Sequence, residues 1–206
     1  MDARREAEQE RGELADLLEG LSEEQWEAPS LCEGWTVRQV VAHVISYDEL
    51  SLKQLGVRAV RARFSPDRMN ALGVEEYDAR SPAALVAFLR GHLRPSGLAG
   101  GMGGAIGLVD AVIHQQDIRR PLGMPREIPA ERLRFALGLA LRAPVIRGFW
   151  NARGVRLVAE DVNWAHGKGP EARGAGEAVL MTLAGRRGVA SELSGPGAEV
   201  LSSRLG

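Results

Sequence analysis

The chain has 206 residues, 45% of them apolar and 26% charged, which is the balance of an ordinary folded protein large enough to bury a sizeable core. Its 26 basic and 27 acidic residues nearly cancel, so no global field favours nucleic acid or an anionic membrane as partner. The single cysteine, Cys32, excludes an intrachain disulfide and suits a reducing compartment. Residues 1–20 are densely charged and lack the apolar core of a signal peptide. No apolar run approaches the roughly 18–20 residues that span a bilayer, so the expected location is cytoplasmic.

Residues 2–20 place Leu14, Leu17, Leu18 and Leu21 on one stripe, with Glu6, Glu10, Arg11 and Glu13 on other faces, which predicts a half-buried helix ending at Gly20. The connector 22–35, with Trp26, Pro29, Cys32 and Gly34, reads as an ordered loop. A second helix opens at Thr36, where Thr36 and Gln39 match a capping box and Trp35 with Val40 a hydrophobic staple. Val37, Val40, Val41, Val44 and Ile45 form its buried stripe, and the helix is expected to run past Leu52 toward Arg63. Residues 65–80 read as irregular. Ser81-Pro82 starts a third helix that ends before Pro95.

Six glycines between Gly97 and Gly107 lack the preceding strand, lysine and hydroxyl of a phosphate loop, so they predict a flexible lid or tight connection. The fourth helix covers about Ala105 to Arg120, stopped by Pro121 and Gly123, and a fifth covers Pro129–Ala143. Period-two alternation in Val155–Val162 predicts a strand, with Glu171–Gly176 as a short partner, followed by helices over Glu177–Ala184 and after Gly197. The expected fold is mainly α: a four-helix bundle over residues 1–150, then a small α+β domain over 151–206 that needs the bundle to dock on.

The chemistry-bearing stretch is Asp110–Gly123. On a helix Asp110, His114 and Asp117 are four and seven apart and share one face. His43, at the edge of the second helix's stripe, can join Asp110 and His114 to give two imidazoles and a carboxylate. That is the donor count of a catalytic zinc site with one position open, and it also suits iron, nickel or manganese. The plainer reading of each histidine is a hydrogen-bonded, half-buried side chain. His92 is a rival ligand and His166 a solvated loop residue. Asp117 either orients His114 from behind or pairs with Arg120. Arg119 and Arg120 either hold a carboxylate ligand or complement the helix dipole, and Cys32 reads as a packing residue in preference to a nucleophile or ligand.

Trp26 followed by Pro29-Ser-Leu-Cys-Glu-Gly-Trp-Thr-Val-Arg-Gln-Val-Val-Ala-His43 resembles the opening motif of the mycothiol-dependent maleylpyruvate isomerase family, within the DinB-like metal-binding bundles. Val109–Gly123 resembles that family's second metal-bearing helix. Val162–Pro170, Leu183–Arg186 and Glu192–Gly197 resemble its C-terminal domain, which is similar to sterol carrier proteins. The resemblance implies His43, Asp110 and His114 as metal ligands, although the characterised isomerase type has glutamate, one methylene longer, where this chain has Asp110. It also implies mycothiol as cofactor, with Arg119 and Arg120 as candidate contacts, and a small electrophilic substrate. In an isomerase the thiol adds to a conjugated double bond, allows rotation and leaves; in an S-transferase it stays attached. A non-catalytic metal- or small-molecule-binding protein and a thiol-independent metal hydrolase are the alternatives, and the chain is expected to be a monomer or homodimer.

Overall fold

Short polar side chains start most helices of the N-terminal half. Asp2 accepts the N–H groups of Arg4 and Arg5 to open α1 (Ala3–Glu19). Capping boxes of Ser22 with Gln25, Thr36 with Gln39 and Ser51 with Gln54 open α2 (Glu23–Glu27), α3 (Val37–Ile45) and α4 (Leu52–Arg61). Ser65 and Ser81, each followed by proline in the first turn, open α5 (Pro66–Tyr77) and α6 (Pro82–Gly91). α7 (Ala105–Arg119) instead leaves Gly104 in the left-handed region at φ 91°. A Cβ at Gly104 would come within 2.7 Å of the Arg4 Cα, so both the turn and the close approach require glycine there.

The computed structural model describes residues 1–206 and divides into two units, Asp2–Pro125 and Arg126–Gly206. In the first, α1, α7, α3 and α6 pack in a closed ring, each against its two neighbours, and make the expected four-helix bundle. Leu14, Leu18, Val40, Val41, Val44, Ile45, Leu85, Leu89 and Ile118 fill its centre. α5 packs against α3 from outside the ring.

Three expectations for this unit are corrected. The helix from Thr36 does not run to Arg63, because it ends at Ser46 and restarts at the Ser51 cap after Asp48 has turned inward. Residues 65–80 are mostly helical, since Ser65-Pro66 is the same start signal as Ser81-Pro82. The connector 22–35 contains α2, a single capped turn of helix too short to show periodicity. The glycine-rich segment is a tight connection that turns through Met102 and Gly103, both left-handed at φ 52° and 68°.

In the second unit α8 (Ala130–Ala140) and α9 (Gly148–Asn151) precede β1 (Arg156–Ala159), β2 (Trp164–His166) and β3 (Glu171–Gly174), and α10 (Gly176–Leu183) and α11 (Pro196–Leu205) follow. The sheet order is β2-β1-β3, with β2 antiparallel and β3 parallel to β1, in the register Leu157 opposite His166 and Ala172. The expected partner strand is thus present but parallel, because the three-residue β2 takes the hairpin position. The units divide at residue 125 rather than at 150. α8 belongs to the second unit because it packs on α10, where a Cβ at Gly176 would touch Leu133 at 3.0 Å, and Arg134 donates to the Val162 carbonyl at 2.7 Å. No helix is long and apolar enough to cross a membrane.

Glu10 and Arg11, expected on faces other than the leucine stripe of the first helix, are also buried. Arg11 forms a two-pronged ion pair with Asp48, its Nη1 donating to Oδ1 at 3.1 Å, and Ser96 donates to the Asp48 carbonyl at 2.7 Å. This pair ties α1 to the break after α3. Burial pushes the Asp48 carboxyl above its ordinary pKa, against the pull of Arg11. Arg11→Met, which leaves that carboxylate buried and unpaired, is expected to lower unfolding free energy by about 3–5 kcal/mol in urea titrations at pH 7. Removing Arg11 raises the Asp48 pKa further, so the deficit is full at neutral pH and shrinks as pH falls through the folded value.

Candidate metal centre

The Thr36 capping box sets the start of α3, and His43 follows it by seven residues, in the helix's last turn. α7 carries Asp110 and His114 one turn apart, as the four-residue spacing requires. His43 Nε2 lies 3.8 Å and His114 Nε2 3.4 Å from the same atom, Asp110 Oδ1. The two imidazoles meet edge to face with centroids 4.8 Å apart. All three donor atoms fall within 4.8 Å of one another. A tetrahedral ion with bonds of about 2.1 Å holds its donors about 3.4 Å apart, so this donor set fits one divalent cation after small adjustments. The histidine side chains are 8% and 11% exposed but that of Asp110 is 32% exposed, which leaves the cluster open on its carboxylate side.

Behind His114 stands Asp117. Its side chain is fully buried, and its Oδ2 accepts from His114 Nδ1 at 2.9 Å and from the Cys32 thiol at 3.1 Å. With Nδ1 protonated and engaged, His114 Nε2 faces Asp110 and His43 as a ligand atom. Burial disfavours charge on Asp110, yet the imidazoles, His114 foremost, hold its carboxyl far below the usual carboxylate range. Burial likewise opposes protonation of His114, but Asp110, then Asp117 and Cys32, raise its pKa well above an ordinary imidazole.

Of the remaining residues singled out from sequence, the other two histidines separate from this cluster. His92 caps the end of α6, stacks on Phe88 and has its Nε2 3.3 Å from Glu49, so it belongs to another neighbourhood. His166 is exposed on β2. Arg119 donates to Gln115 Oε1 at 2.8 Å and to the Met124 carbonyl at 3.4 Å, and Arg120 is the half-buried last residue before the Pro121 turn. Cys32 is no plain packing residue, because its thiol bonds a buried carboxylate. Tyr47 was not singled out, although the signal was there one turn beyond His43. Its ring stands edge-on to His43 at 5.9 Å, and its hydroxyl donates to Asn70 Oδ1 at 2.7 Å.

Residues 7–119 match the family described as the mycothiol maleylpyruvate isomerase N-terminal domain. Among solved structures, a histidine-to-alanine mutant of the mycothiol-dependent maleylpyruvate isomerase is similar at a TM-score of 0.62 and 17% identity, over 95% of this chain and 92% of that one. A second crystal structure of the mycothiol-dependent maleylpyruvate isomerase is similar at 0.57 and 14% identity over the same shares. At these identities the likeness is one of fold. No curated protein matches the chain by sequence.

If the cluster holds a cation, His43→Ala and His114→Ala each abolish stoichiometric Zn(II) uptake in calorimetric titration; undiminished uptake by both would refute the assignment. A cation on His114 Nε2 must displace the proton held there, so uptake releases protons and affinity climbs with pH up to the folded pKa of His114. In the metal-free chain the raised pKa has the complementary effect. His114 contributes stability at and below about pH 6.5, and that contribution is lost as pH rises through the folded value.

Proposed function

We propose that this chain, which belongs to the mycothiol maleylpyruvate isomerase family through its N-terminal domain, is a metal-dependent enzyme that uses mycothiol to isomerise, or to become attached to, a small electrophilic substrate. The observation that carries the proposal is the convergence of His43 Nε2, His114 Nε2 and Asp110 Oδ1 on one point that stays open beside Asp110. A divalent cation held there, zinc first among the candidates, supplies Lewis acidity that lowers the pKa of a thiol brought to it.

The chain's own side chains prepare that point. Asp117 fixes the tautomer and direction of His114 through the 2.9 Å bond to Nδ1. Trp35 and Tyr47 pack on the His43 ring, with centroids 5.3 and 5.9 Å away, and restrict its rotation. Asp110 leaves its side of the cluster accessible, and its negative charge would offset part of the charge of a bound cation. Arg119 is already engaged by Gln115 and Met124, so contact with an anionic group of the thiol or substrate would exchange these bonds.

Metal-loaded protein is expected to consume maleylpyruvate, the substrate in the names of its structural relatives, or another small electrophile only when mycothiol is present, followed by loss of substrate absorbance. His114→Ala should lower kcat/KM by on the order of 100-fold or more, beyond what loss of an outer partner costs. Turnover at the same rate without mycothiol would identify a thiol-independent hydrolase instead. Tight metal binding with no turnover of any electrophile would identify a binding protein.

A further inference from the structure

Residues 28–37 form a closed turn. Val37 N–H donates to the Ala28 carbonyl at 3.0 Å, Ser30 N–H to Trp35 at 2.9 Å and Trp35 N–H to Cys32 at 3.0 Å. The Ser30 hydroxyl braces its inside, donating to the Trp35 carbonyl at 2.8 Å and accepting from Cys32 N–H at 3.1 Å. Gly34 takes the left-handed position, φ 79°, that closes it. The turn is therefore held by its own bonds, and it feeds directly into α3.

Its two ends of contact are the two histidines of the candidate centre. On one side Trp35 lies against His43 with centroids 5.3 Å apart. On the other, Leu31 N–H donates to the Asp117 carbonyl at 3.0 Å and the Cys32 thiol donates to Asp117 Oδ2 at 3.1 Å, with Sγ 3.7 Å from His114 Nδ1. One carboxylate oxygen thus accepts two donors, one from the imidazole and one from the turn. A donor held at a fixed place by the turn limits rotation of the Asp117 carboxylate about its χ2 bond.

We infer that Cys32 is a positioning residue: its thiol, acting through Asp117, holds His114 in the orientation the metal centre needs, and the 28–37 turn is the strap that sets both histidines together. This rests on the metal reading of the preceding section. It gives the chain's one cysteine a role as hydrogen-bond donor rather than as nucleophile. Its thiol hydrogen is already given to the buried Asp117 carboxylate.

The test uses the full-length chain with Cys32→Ala, Cys32→Ser and Asp117→Asn, and two readouts. The first is Zn(II) affinity by calorimetry. Cys32→Ala should weaken it about 10-fold and Asp117→Asn up to about 100-fold, the range for outer-shell partners, while Cys32→Ser, which keeps an O–H donor, should restore most of the loss. The second readout is the imidazole nitrogen NMR spectrum of the metal-free protein. His114 Nδ1–H should shift in Cys32→Ala and return toward the wild-type position in Cys32→Ser. Wild-type affinity and an unmoved His114 signal in Cys32→Ala overturn the inference while leaving the metal reading intact. If wild-type protein takes up no Zn(II), the metal reading falls, and the His114 signal alone then decides whether Cys32 positions the ring. Equal losses in the alanine and serine variants would mean that shape, not the donor, matters, and would also overturn it.

Discussion

A carboxylate with no access to water must find donors or give up its charge, and Asp117 meets that demand inside the bundle. Two of its donors come from separate places in the chain, His114 one turn back on α7 and Cys32 on the turn before α3. Satisfying it therefore fixes a tertiary relation as well as a side-chain angle. The two helices that carry the candidate ligands are registered against each other by a bond that is expensive to break. A preorganised donor set of this kind needs little rearrangement to accept a cation.

The same logic recurs on the rest of α7. Gln115 donates to the side chain and carbonyl of Glu10, and Arg119 donates back to Gln115. Gln115, Gln116 and Asp117 are all buried, so α7 is enclosed on nearly every side and its polar residues are inside rather than out. α1 answers with its own buried Glu10 and Arg11. A polar interior of this sort is costly wherever a partner is missing, and it specifies one packing of the helices more sharply than apolar contacts alone. The Arg11 to Asp48 pair does for α1 and the end of α3 what Asp117 does for α7 and its start.

The sequence was informative where a local rule had only one solution. The Thr36 capping box placed the start of α3, the Asp110 to His114 spacing placed two donors one turn apart, and Pro121 with Gly123 closed α7 close to its observed end. It misled where a long-range partner decided the outcome. Glu10 and Arg11 sit on a helix whose leucine stripe makes them look solvated, and nothing local announces Asp48 as the partner. The break after Ile45 has the same cause, since residues 46–51 are compatible with helix until Asp48 must reach Arg11. β2 was missed because three residues, one half-buried and two exposed, are too few to display alternation, and the grouping of α8 with the second unit depends on a packing partner more than thirty residues away. Cys32 looks inert from sequence because Asp117, the carboxylate that accepts its hydrogen bond, is 85 residues away.

The short acid at Asp110 shows how the two kinds of information combine. Its separation from His114 is set by one turn of α7 and would be nearly the same in any helix. Its separation from His43 is set by how closely α3 and α7 pack. An aspartate has one methylene less reach than glutamate, so a shared contact with both imidazoles requires the helices to bring His43 to it. Here Oδ1 lies 3.4 Å from one ring and 3.8 Å from the other, so the bundle has supplied that approach. The length of the acid and the packing of the bundle therefore form one constraint, and a change to either alters the donor spacing by which the site would choose its ion.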